Sequence, residues 1–218
     1  MLRKASLIFI LSSLGLPLGV QALQVNTSTT EKVTTQASLQ NELSQLTEEE
    51  KLARDVYRHL DKKWGHRTFE HIKASENRHL ERMRSILKRR QIADPTSGLK
   101  EGQFKSELMK KLFTSLTDKG NISKPEAFKV GVEIEELDIK DLLRISAQIK
   151  DPQVKHILSN LTRASRNHLR AFHKALTQTG EKYKPKHLSK EVFNAILASP
   201  HERGRHGKGR GHGKNSNM

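Results

Sequence analysis

Residues 75–83 read SENRHLERM and residues 164–172 read ASRNHLRAF. Apolar residues three and four apart predict an amphipathic helix around each stretch. Around 75–83 the helix spans about 68–91, with Phe69, Ile72, Glu76, His79, Met83 and Ile86 along one stripe. Around 164–172 it begins near Asp151-Pro152 and carries Val154, Leu158, Leu161, Ser165, His168, Phe172 and Ala175. Two more segments repeat the pattern. From about 41 to 63 the stripe is Leu43, Leu46, Glu50, Ala53, Tyr57 and Leu60. After Ser123, a natural N-cap with Pro125 and Glu126 in the first turn, it is Phe128, Gly131, Glu135, Asp138, Leu142, Ile145 and Ile149. Alternating steps of three and four are the period of a left-handed helical bundle, so the predicted fold is all-α: four helices in two hairpins.

All four stripes are interrupted at one level, where polar or small residues replace apolar ones: Glu50/Ala53, Glu76/His79, Glu135/Asp138 and Ser165/His168. EKLARDVY (50–57) aligns with EELDIKDL (135–142), and SENRHLERM with ASRNHLRAF, as a duplicated hairpin would. Four carboxylates and two imidazoles in a bundle core are costly, because each unpaired buried charge opposes folding by several kcal/mol. Two divalent cations would balance Glu50, Glu76, Glu135 and Asp138. Hard oxygen donors with neutral imidazole suit iron or manganese. Glu76-x-x-His79 places both side chains on one helix face, ready to chelate or bridge.

These motifs resemble the ferritin-like superfamily of di-metal four-helix bundles: Glu50-x-x-Ala53-x-x-x-Tyr57, Glu76-x-x-His79, Glu135-x-x-Asp138 and Ser165-Arg-Asn-His168. More closely, EEEKLARDVY (48–57), VGVEIEELDIKDL (130–142) and SRNHLRAF (165–172) are similar to the family catalogued as domain of unknown function 2202, over roughly residues 45–195. The resemblance implies a ferritin-like bundle with Glu50, Glu76, His79, Glu135 and His168 as candidate ligands. The second Glu-x-x-His motif departs from the ferritin-like pattern, with Ser165 where a bridging carboxylate belongs. Asp138, from the neighbouring helix and at a different angle, is the candidate replacement, so the expected site is asymmetric, with one ion held tightly and one loosely, or a single ion.

Composition bounds the rest. The 218 residues include 40 Lys and Arg against 24 Asp and Glu, 11 His and no Cys, a net charge of +16. No disulfide, thiolate site, iron–sulfur cluster or Cys nucleophile is available. Residues 1–22 have the basic start (Arg3, Lys4), apolar run and Val20-Gln21-Ala22 end of a cleaved signal peptide, which places the mature chain in the periplasm or outside the cell. No integral membrane span is expected after cleavage. Residues 23–40 read as a polar linker, 41–200 as the bundle, and 201–218 (HERGRHGKGRGHGKNSNM) as a disordered Gly-, His- and basic-rich tail.

Outside the inner layer, Tyr57 reads as a core tyrosine with a bonded hydroxyl, and Glu48, Glu49 and Glu133 as solvated or helix-start charges. Trp64 is expected to close the first helix and cover the bundle end. A short helix over 101–117 forms the crossover between hairpins, and another over 189–198 packs outside. Helix two carries Arg78, Arg82, Arg84, Lys88, Arg89 and Arg90. No helix-turn-helix, stacking platform or zinc-finger spacing accompanies them, so anionic envelope polymers, not specific nucleic acid, are the expected polyanionic partners. The function expected is an exported protein that binds iron or manganese and reacts with dioxygen or peroxide. The alternatives are a non-catalytic envelope metal-binding or stress protein, and a basic adaptor.

Overall fold

The computed structural model describes residues 27–204, with side chains from residue 37. The signal-like segment 1–22 and residues 205–218 of the tail lie outside the described residues. Among the described residues all regular structure is helical: α1 (Thr27–Trp64), α2 (Arg67–Arg89), α3 (Glu107–Ile122), α4 (Lys124–Gln148), α5 (Pro152–Thr177) and α6 (Lys190–Ala198). None of these helices is long and apolar enough to cross a membrane.

Helix boundaries follow local chemistry. Ser123 caps α4 by accepting from the Glu126 amide, and Asp151 caps α5 by accepting from Gln153 and Val154. His66 caps α2 through its ring nitrogen, which accepts from the Thr68 amide. Trp64 ends α1 and donates its indole N–H to the Gly120 carbonyl at 2.9 Å, tying the end of α1 to α3.

The short links at 65–66 and 149–151 make α1–α2 and α4–α5 antiparallel hairpins. Their mutual orientation is fixed by cross-links. Glu42 near the start of the described α1 side chains meets Arg144 (2.8 Å) and Gln148 (3.0 Å) late in α4, while Tyr57 late in α1 reaches Gly131 early in α4. Helices α1 and α4 are therefore antiparallel, and α2 and α4 run parallel, which requires the long crossover containing α3. Helix α3 packs against both α1 and α4. The apolar core has two parts. Leu43, Leu46, Met83, Ile86, Leu142, Ile145, Val154 and Leu158 fill one end, and Leu60, Phe69, Phe128, Leu169 and Phe172 the other. The polar layer lies between them.

Several expectations need correction. Residues 27–40, read as linker, continue α1, because TSTTEKVTTQASLQ contains no Gly or Pro to stop a helix. The crossover helix starts at Glu107, not Glu101: Gly102 has a positive φ of 75° and Ser106 supplies the cap. Glu48 is buried rather than solvated, and one of its oxygens accepts from the amides of Lys105 (2.7 Å) and Ser106 (3.0 Å). Fully buried Lys51 donates to Asp55 and to the Lys100 carbonyl, and Asp55 accepts from the Gly102 amide. Together these residues strap the crossover onto α1.

The second hairpin has a counterpart. Buried Glu136, which aligns with Lys51 in the repeat, accepts from the Tyr183 hydroxyl (2.6 Å) and the amides of Lys186, His187 and Leu188. It straps residues 183–188 onto α4. The tail also begins ordered: Glu202 pairs with Arg166 (2.5 Å) and Arg170 (2.9 Å) on α5.

Gly131 sets the approach of α4 to α5, since a Cβ there would lie 2.5 Å from the Phe172 ring. Gly131→Ala is expected to destabilise the bundle by about 1–3 kcal/mol, through overpacking of a filled core. Thermal denaturation followed by circular dichroism measures it.

Candidate metal centre

Five ligand candidates come from four helices at a common height, two of them from α2. Glu50 lies on α1, Glu76 and His79 on α2, Glu135 on α4 and His168 on α5, all of them buried. The three-residue spacing of Glu76 and His79 turns both toward the bundle axis. Glu76 stands between the two imidazoles. One carboxylate oxygen is 2.8 Å from His79 Nδ1 and the other 2.7 Å from His168 Nδ1. A second carboxylate approaches the same nitrogen of each ring: Glu50 Oε2 at 3.3 Å from His79 Nδ1, and Glu135 Oε2 at 3.5 Å from His168 Nδ1. The two rings stack with centroids 5.4 Å apart.

The arrangement has an approximate two-fold character, with Glu50–His79 and Glu135–His168 related and Glu76 shared. Glu76, His79 and His168 each offer a donor atom within 4.8 Å of the others. These approaches are ion-pair contacts with poor hydrogen-bond geometry. Both oxygens of Glu50, one of Glu76, and Nδ1 of each histidine are buried without a hydrogen-bond partner. Native interiors leave few polar atoms orphaned, and a cluster of them calls for a specific cause. Convergent lone pairs on carboxylate oxygens and imidazole nitrogens are the donor set a divalent cation takes. The residues present therefore fit such an ion.

Asp138 reaches the layer but not the imidazoles. It is turned toward Ser165, whose hydroxyl donates to its Oδ2, while Oδ1 has no partner. The repeat explains the exchange: Ala53 aligns with Asp138, and Glu76 with Ser165. Where α2 supplies a carboxylate, its neighbour α1 has a methyl group. Where α5 has a small hydroxyl, α4 supplies the carboxylate. Tyr57 is a core tyrosine whose hydroxyl donates to Glu135 Oε1 at 2.7 Å, fixing that carboxylate's rotation. Its ring packs against Phe172, centroid to centroid 4.9 Å.

Electrostatics follow from burial and neighbours. Burial pushes the Glu50 carboxyl up to about 7, against the opposing pull of His79. Burial also raises Glu135 and, with the surrounding carboxylates, holds Asp138 well above the usual range. Glu76 goes the other way: burial opposes its ionisation, but His79 and His168 together outweigh it and hold it well below the ordinary carboxylate value. Burial would lower both imidazoles, yet Glu76 with Glu50 raises His79 well above its usual value, and Glu76 with Glu135 raises His168 to about 9.

Glu49, read as solvated, is pushed up by burial to about 7. Glu136 and Lys51 were also invisible as buried groups. The signal that marks them is their place in the repeat, immediately after Glu50 and Glu135. Glu133 is half-buried and paired with Lys119 and Lys186, both at 2.7 Å.

A definite pH response follows for metal-stripped protein. The folded-state value of His168, about 9, exceeds the ordinary 6.5, so its stabilisation is complete below about pH 6.5 and is lost as pH rises through 9. Glu50, at about 7 against 4.5, acts with the same sign at lower pH. The melting temperature of stripped protein is expected to fall between pH 6 and 9, and a saturating divalent cation to remove that slope, because the ion takes the place of the protons. Differential scanning calorimetry across that range checks both.

Comparison with known proteins agrees with this architecture. Residues 40–200 match the family described as an uncharacterized protein domain, DUF2202. The uncharacterized protein MJ0754 of Methanocaldococcus jannaschii is 39% identical over 162 residues, covering 74% of this chain and 88% of that protein. The crystal structure of the hypothetical protein MJ0754 superposes with a TM-score of 0.73 at 37% identity, covering 75% of this chain and 93% of that one. The chain thus belongs to the DUF2202 family, whose domain takes in most of α1 and all of α2 to α6.

Proposed function

We propose that the protein is a ferritin-like metal protein whose inner layer holds two iron or manganese ions and reacts with dioxygen or peroxide, in a ferroxidase-like or peroxide-scavenging manner. The observation that carries this reading is Glu76 set between two imidazoles, each backed by its own carboxylate, with their donor atoms orphaned in a buried layer. Glu50, Glu76 and His79 would hold one ion, and Glu76, Glu135 and His168 the other. When bound, iron or manganese would supply the electrons that reduce the oxidant.

The chain's own groups do the remaining work. Glu76, kept ionised by the two histidines, offers one oxygen to each side. Tyr57 keeps the Glu135 carboxylate from rotating. Asp138, its carboxyl raised well above the usual range by burial and its acidic neighbours, is held by the Ser165 hydroxyl at the edge of the layer. Apolar side chains on both sides, from Leu46 and Met83 to Phe69 and Phe172, exclude bulk water. A basic adaptor using the polar layer only as internal structure would need those groups well hydrogen-bonded to each other, and the poor geometry of their ion pairs weighs against it.

Elemental mass spectrometry on the purified protein is the direct test. Near two equivalents of iron or manganese are expected, with Glu76→Gln disturbing both positions and His79→Ala chiefly one. Failure to retain metal, together with no stabilisation by added Fe(II) or Mn(II), would sink the reading. Continued consumption of dioxygen or peroxide beyond stoichiometry separates an enzyme from a non-catalytic metal store, which saturates.

Export to the periplasm or exterior belongs to the same proposal, and the surface charge then favours anionic envelope polymers as neighbours. Intact-mass analysis of the natively produced protein is expected to give a chain beginning at Leu23. A retained Met1 would contradict export by cleavage.

A further inference from the structure

The two open faces of the bundle carry opposite charge. Over α2 and α5 a groove above His79 is lined by Arg78, Arg82 and Arg163, and an adjoining groove adds Arg203. On the opposite side, between α1, α3 and α4, a cavity of 190 Å³ is lined mostly by apolar side chains such as Leu52, Met109, Ile134 and Leu137, with Glu49, Asp141 and Asp138 as its acids and Ala53 among them. Leu108 of α3, 55% exposed, stands at its rim, and Leu112 lies beside it. We propose that this cavity is the passage by which divalent cations reach the metal centre, with Asp138 as the transfer carboxylate at its inner end. The inference rests on the metal-binding reading above.

Three observations converge on it. Asp138 is 7% exposed, lines the cavity, and keeps its Oδ1 without a hydrogen-bond partner although Oδ2 is occupied by Ser165. A buried carboxylate oxygen left free toward a cavity is a site for a passing cation. Ala53 is the one position of the inner layer where the side chain ends at Cβ, so the wall between cavity and centre is thinnest there. The third observation is electrostatic. In a chain of net charge +16, a cation meets repulsion over most of the surface, and strongly so at the arginine-lined face. Asp141, joined by Glu49 as it ionises, makes the mouth on the opposite face acidic, offset in part by Arg144, which Asp141 shares with Glu42. Carboxylates then follow inward in order: Glu49 and Asp141, Asp138, and finally Glu50 and Glu135. Cations would enter where acids line the route, and Arg78 and Arg163 close the other side to them.

Stopped-flow uptake of Co(II), read from its visible absorption on binding, tests the route in the whole protein. Ala53→Leu, which fills the inner wall, is expected to slow uptake about tenfold while the final number of ions bound stays at the parent value. Glu49→Gln with Asp141→Asn, which leaves the cavity's shape intact, is expected to slow it several-fold at low ionic strength and less at high salt, as loss of steering requires. Arg78→Ser with Arg163→Ser is expected not to slow it. Uptake at the parent rate in both cavity variants would overturn the passage while leaving the centre standing. A parent protein that takes up no Co(II), Fe(II) or Mn(II) at all would remove the centre and the passage with it.

Discussion

A bundle of this size cannot bury four carboxyl groups and two imidazoles without a counter-charge arrangement, and that constraint shapes the molecule. Glu76 between His79 and His168 is the neutralising core: one anion faces two bases, and each base faces a further acid. The geometry requires four helix axes in register, because each contributes to a layer only one side chain deep. The apolar stripes above and below supply that register. Gly131 permits the closeness of α4 and α5, and the Tyr57 hydroxyl links α1 to α4 at the height of the site. Large buried side chains and charged ones thus depend on each other.

The duplicated hairpin gives the layer its approximate two-fold character, and the two halves differ where it matters. Ala53 and Glu76 in one half correspond to Asp138 and Ser165 in the other. The total of large and small groups is kept, but the carboxylate moves from the second helix of the hairpin (α2) to the first (α4). Glu76 can therefore face both imidazoles, while Asp138 bonds to Ser165 and looks toward the cavity. A symmetric frame with an exchanged pair makes two inequivalent positions.

Most of the fold was legible because helical periodicity is a local property. The stripes through Leu46 and Glu50, or Leu161 and His168, are readable residue by residue, and Ser123 and Asp151 announce their helix starts. The site residues were legible for the same reason: polar residues on an apolar stripe stand out. The groups that escaped notice lie off the stripes. Glu48, Lys51, Asp55 and Glu136 face segments that have no periodicity of their own, so nothing near them in sequence shows that they are covered. The continuation of α1 back to Thr27 was missed because polar composition resembles a linker, whereas helix continuation asks only that nothing interrupt it.

The straps over α1 and α4 carry a consequence for cooperativity. Lys51 with Asp55 holds residues 100–102, and Glu136 holds 183–188, each through groups that are themselves fully buried. Lifting either segment would break several hydrogen bonds to charged groups, each worth about 1.5–3 kcal/mol, and uncover the groups beneath it. That is a sizeable share of the stability of a whole domain. These two stretches contain no helix, yet their amides should exchange with solvent only when the bundle itself opens. Irregular chain here belongs to the same cooperative unit as the helices it crosses.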